Sequence, residues 1–129
     1  MVTKRHDVVA DVVAHQFRLL VLWTTPIPTA GLCVLSSLWE GLGAVLVEAL
    51  AAGTPVASTR CPSGPEELLG DLPGEPLATP GDPASLADAM ARQLDNPLPR
   101  QQLQAAAAPY ALQNSVSSYL KAMGLSEAV

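Results

Sequence analysis

The chain has 129 residues, 49% of them hydrophobic and only 15% charged, which is one domain's worth of core and excludes both a two-domain chain and a disordered one. Its formal net charge of −5 leaves no broad basic footprint, so neither nucleic acid nor an acidic lipid surface is an expected partner. No apolar run approaches the roughly 18 residues of a membrane span, because Asp11, His15 and Arg18 interrupt the Val- and Leu-rich start, and the same charges exclude a signal-peptide core.

Along the first 17 residues, Val8, Val9, Val12, Val13 and Phe17 recur near a helical period and predict an amphipathic helix. Residues 19–23 form a short apolar run that stops at Thr24-Thr25-Pro26, the pattern of a buried strand entering a loop. A second such strand is expected over residues 32–35, ending in Ser36-Ser37. Residues 44–52 are rich in helix formers and are closed by Gly53, a usual C-terminal stop. Residues 55–59 predict a third strand, residues 61–65 a loop, residues 66–70 a short helix and residues 75–79 a fourth, short strand. Asp82 and Pro83 read as N-cap and first position of a helix that carries Leu86, Met90 and Leu94 on one face. Two further helices are expected over residues 99–108 and 113–123, separated by Pro109-Tyr110. Strands alternating with helices imply an α/β class with a parallel sheet and right-handed crossovers.

Cys33 and Cys61 have neither C-x-x-C nor metal-ligand spacing, which points to small buried side chains in a reduced, cytoplasmic protein. His6 and His15 lack a third ligand, so they read as surface histidines, and no metal site or cofactor is expected. No G-x-S-x-G elbow is present.

Chemistry concentrates in residues 36–50, Ser-Ser-Leu-Trp-Glu-Gly-Leu-Gly-Ala-Val-Leu-Val-Glu-Ala-Leu. Seven residues intervene between Glu40 and Glu48. A helical path would set the two carboxylates near one line, with Glu40 in the loop just ahead of the helix and Glu48 inside it. Gly41 and Gly43 permit close backbone approach, and the first amides of a helix offer an anion site. A carboxylate on either side accepts hydrogen bonds from sugar hydroxyls, so the combination suits a sugar joined to a diphosphate. Taken on spacing alone, the pair fits the solvated face of an ordinary helix better.

Three blocks in order, Ser36 to Gly43, Glu48-Ala-Leu-Ala-Ala-Gly-Thr-Pro-Val and Cys61-Pro-Ser-Gly-Pro-Glu-Glu-Leu-Leu, resemble the signature region of family 4 retaining glycosyltransferases. The likeness extends through Pro80-Gly81-Asp82-Pro83 and covers roughly residues 31–119. It implies a partial Rossmann-like sheet, half of the carboxy-terminal, nucleotide-sugar-binding domain of a GT-B fold, and a cytoplasmic, metal-independent transferase. It also implies roles: Glu40 at the donor sugar near the reacting centre, the backbone of Gly41, Leu42 and Gly43 facing sugar and diphosphate, and Glu48 on the ribose hydroxyls. Glu67 matches the glutamate of a later Gly-Pro-x-Glu segment, where a helix-start role competes with a ligand role.

The family's earlier Arg and Lys, which neutralise the leaving diphosphate, have no counterpart among Lys4, Arg5 and Arg18. The expected division is therefore an unmatched segment over residues 1–22 and part of the nucleotide-sugar-binding domain over residues 23–129. The whole two-domain enzyme needs about 200 to 400 residues. The implied partner is a nucleoside diphosphate sugar, the acceptor is unspecified, and self-association is expected through the unprotected edge of the strand over 19–23. The leading reading is thus a glycosyltransferase fragment inactive by itself. A non-catalytic nucleotide-binding or decayed module and an unrelated flavodoxin-like α/β module are the alternatives.

Overall fold

The computed structural model describes residues 30–125. The helix expected along the first 17 residues and the strand over 19–23, with its edge, lie outside the described residues. In chain order the elements are β1 (Cys33–Leu35), α1 (Ala44–Ala52), β2 (Val56–Thr59), α2 (Gly64–Leu69), β3 (Leu77–Ala78), α3 (Pro83–Asp95), α4 (Arg100–Ala107), a 3-10 turn (Ala108–Tyr110) and α5 (Leu112–Ala122).

The three strands form one parallel sheet in the order β1-β2-β3. β2 is the middle strand and is buried along its whole length, which is why it carries no charge and runs as Val-Ala-Ser-Thr. Strand side chains alternate between faces. Leu35, Val56 and Leu77 accordingly join a core with Leu46, Leu50 and Leu103, while Ala57 and Ala78 join a second cluster with Leu86, Ala89 and Met90. The sheet thus carries α1, α2 and α4 on one side and α3 on the other, a partial Rossmann-like α/β architecture.

Local signals account for the helix ends. Gly53 closes α1 with φ 76°, its amide donating back to Leu50 O. Asp82 caps α3, its side chain accepting from the Ser85 amide at 3.1 Å. Helix α2 begins at Gly64, earlier than the expected Glu66, because Pro65 is compatible with a first helical turn. The fourth expected strand shrinks to Leu77–Ala78, since beyond it the chain turns into the Gly81 loop.

The predicted stripe of α3 needs one correction. Gln93, 2% exposed, takes the inward position with Leu86, Ala89 and Met90, while Leu94 is half-buried. Gln93 is tolerated there because its Nε2 donates to the Gly74 carbonyl at 2.7 Å, so the buried amide is paired. On α5, Leu112, Val116 and Tyr119 are exposed, as is Met123 just after it. No helix among the described residues is long and apolar enough to cross a membrane.

Candidate functional site

Parallel sheets present their loops for ligands at the carboxyl ends of the strands. Here that end is the path from Ser36 to Gly43 after β1, followed by α1, and the path from Arg60 to Ser63 after β2, followed by α2. Glu40 is half-buried in the first loop, and Glu48 is exposed in the second turn of α1. The sequence placed both correctly relative to the helix.

Their expected alignment along one line does not hold. Glu40 precedes α1, which starts at Ala44, so no single helix links them. Even on a continuous helix, eight positions amount to about 800°, about 80° beyond two turns.

Gly43 is the N-cap of α1 with φ 70° and ψ 55°, and the first turn has no side-chain cap and no acidic residue. Gly43 is buried, whereas Gly41 and Leu42 are exposed at the surface of the loop. Leu38 and Trp39, beside Glu40, are also exposed. This loop therefore presents a carboxylate, uncapped helix amides and apolar side chains together, a set that suits an anionic group joined to a sugar.

The loop is tied down by residues to which the sequence assigned no such role. Ser37 Oγ donates to Glu40 Oε1 at 2.8 Å. Thr59 Oγ1, at the end of β2, donates to the Ser37 carbonyl. The Gly64 amide donates to the Gly41 carbonyl at 2.8 Å. At Gly64 a Cβ would run into the Gly41 oxygen and the Leu42 carbonyl, so only glycine allows this approach. Ser63, just before it, holds φ 73° to turn the chain into that position. The expectation that Ser37 merely ends a strand was incomplete. Its spacing to Glu40 was the available signal, since a hydroxyl three residues ahead of a carboxylate closes a local hydrogen bond.

Burial first, and then the Glu48 charge, push the Cys33 thiol above its ordinary value of 9.0. Both cysteines are free, Cys33 half-buried and Cys61 buried. Glu67 is exposed in the first turn of α2, where its amide donates to Ser63 O at 3.1 Å. Its neighbour Glu66, not Glu67, pairs with Arg60 at 3.2 Å. Among the described residues no three His, Cys, Asp or Glu side chains are grouped to hold a metal ion.

Comparison with known proteins gives a family for the chain. The family model described as Glycosyl transferases group 1 matches residues 25–96, a span that contains the three strands, the Glu40 loop, α1, α2 and all of α3. An uncharacterized glycosyltransferase of Methanocaldococcus jannaschii is 56% identical over 36 residues, 28% of this chain and 9% of that protein. An MMP alpha-(1->4)-mannosyltransferase of Mycolicibacterium hassiacum is 36% identical over 69 residues, 54% of this chain and 17% of that protein. The chain thus spans less than a fifth of the length of either relative. No solved structure matches it. With more than half of its residues inside the family match and the matched elements folded around one loop, the chain belongs to the glycosyl transferases group 1 family.

Proposed function

We infer that the chain carries the donor side of a retaining, metal-independent glycosyl transfer, in which a sugar passes from a nucleoside diphosphate to an acceptor. The reading takes residues 23–129 as part of the nucleotide-sugar-binding domain and residues 1–22 as a separate segment. The observation that supports it is the single loop that sets Glu40, the backbone of Gly41, Leu42 and Gly43, and the uncapped start of α1 side by side at the carboxyl end of β1. Glu40 accepts hydrogen bonds from the donor sugar, the loop backbone and α1 amides face the diphosphate, and Glu48 accepts from the ribose hydroxyls. Glu67, at the head of α2, is the further ligand candidate. Catalysis in this scheme consists of orienting the donor and stabilising charge on the leaving diphosphate.

A non-catalytic nucleotide-binding module is the second reading, favoured by the placement of positive charge. Of the four basic residues described, Arg60 pairs with Glu66 and Arg92 with Glu75. Arg100 lies against Gly53, at the opposite end of α1 from the loop, and Lys121 is on α5.

Titration calorimetry with nucleoside diphosphates tests the shared binding step. With the chain built into a two-domain enzyme, incubation with nucleoside diphosphate sugars, a mannosyl donor included because of the mannosyltransferase relative, separates the two readings through released diphosphate and new glycoside. Absence of any nucleoside diphosphate binding would overturn both.

A further inference from the structure

We propose that Ser37, Thr59 and Gly64 are positioning residues that hold the Glu40 loop in the orientation that receives the donor sugar, so that the end of β2 and the start of α2 are the support of the site. The proposal rests on the reading of Glu40 as the sugar-facing carboxylate.

β1 ends at Leu35 and α1 begins at Ala44, so the intervening backbone has no strand or helix ladder to satisfy it and must find partners elsewhere. Two of those partners come from the next strand-helix unit, Thr59 Oγ1 on the Ser37 carbonyl and the Gly64 amide on the Gly41 carbonyl. They bracket Glu40 on either side in sequence. Between them, the Ser37 hydroxyl engages Oε1 of Glu40 at 2.8 Å. Thr59 is 3% exposed, and a hydrogen bond shielded from water holds its geometry better than one at the surface. The links form a relay: β2 fixes Ser37, Ser37 fixes the Glu40 carboxylate, and α2 fixes the loop immediately after it.

The relay also leaves Glu40 chemically ready. A carboxylate accepts at both oxygens, and with Oε1 held by Ser37, Oε2 is the oxygen left for a sugar hydroxyl. Without the serine hydroxyl, Glu40 regains its side-chain torsional freedom, and donor binding must order it again. Ser37 and Thr59 should therefore affect recognition of the sugar more than recognition of the nucleotide, whose diphosphate meets the backbone of the same loop at Gly41 to Gly43 but also the α1 amides.

The test uses the full chain and the variants Ser37→Ala, Thr59→Val and Thr59→Ser. Amide exchange and backbone order parameters are measured for residues 38–43, and affinity is measured for a nucleoside diphosphate and for its sugar-bearing form. In Ser37→Ala and Thr59→Val, loop exchange should accelerate by about tenfold while β2 and α3 keep their protection. The sugar-bearing nucleotide should lose about fivefold in affinity while the bare nucleotide stays within about twofold. Thr59→Ser, which keeps the hydroxyl, should restore both. Unchanged loop exchange in Ser37→Ala and Thr59→Val would overturn the support. Equal losses for bare and sugar-bearing nucleotide would overturn the positioning role. If the parent chain bound neither, the donor reading itself would fall and the proposed role with it, while loop exchange would separately report whether the support exists.

Discussion

The Gly64 amide donates to the Gly41 carbonyl at 2.8 Å across the gap between two loops, and the position a Cβ would occupy at Gly64 is already filled by backbone of Gly41 and Leu42. Backbone cannot swing aside as a flexible side chain can. Gly64→Ala should therefore destabilise the fold by about 1 to 3 kcal/mol, the range for forcing an extra carbon into a packed site. Urea unfolding is the check, and a midpoint equal to that of the parent would show that the two loops separate easily.

Two left-handed positions should respond in opposite senses. Gly53, φ 76°, caps α1, and a Cβ there would run into Cγ of the Arg100 side chain. Gly53→Ala should cost about 1 to 2 kcal/mol from the backbone conformation. Adding Arg100→Ala should recover the part of the loss due to crowding, because Cγ lies at the stem of the side chain and cannot move aside as its far end can. Ser63, φ 73° and ψ −121°, bears a Cβ in a positive-φ region that favours glycine, so Ser63→Gly should be neutral or stabilising by up to about 1 kcal/mol. Thermal unfolding of the three variants decides the signs.

The raised Cys33 thiol carries a pH dependence with a defined sign. Folding binds the thiol proton more tightly than the unfolded chain does, so this contribution is present below the ordinary value of 9.0 and is lost as pH rises through the folded value. Stability should fall above pH 9.0, and Cys33→Ala should flatten that fall. Because the Glu48 charge is the second cause after burial, Glu48→Gln should increase the thiolate fraction and speed alkylation of Cys33 at mildly alkaline pH. An unchanged alkylation rate would place Glu48 too far from β1 to matter.

Glu48 and Glu40 should separate by substitution if their proposed roles are right. Glu48→Gln should weaken nucleoside diphosphate binding by roughly 1.5 to 3 kcal/mol, the scale for a hydrogen bond to a charged group. Glu40→Gln should leave that affinity in place and reduce recognition of the sugar-bearing form. Calorimetry on both variants gives the comparison, and a Glu48→Gln variant that binds like the parent would remove the ribose assignment.

By itself the sequence determined the features written in short stretches of chain. The bounds of α1 followed from a run of helix formers closed by Gly53, the start of α3 from Asp82-Pro83, and the α/β class from strands alternating with helices. The placement of Glu40 in a loop and Glu48 in a helix followed for the same reason. Only the tertiary structure decided what depends on distant neighbours. Gln93, not Leu94, faces inward on α3, because a buried amide is acceptable only where a carbonyl such as that of Gly74 waits for it. The support beneath Glu40 joins Ser37 to Thr59 and Gly41 to Gly64, pairs brought together by parallel pairing of β1 with β2 and invisible to any local pattern. Hydrophobic period and capping chemistry act within a few turns of chain, whereas hydrogen bonds between loops exist only after the sheet has set their separation.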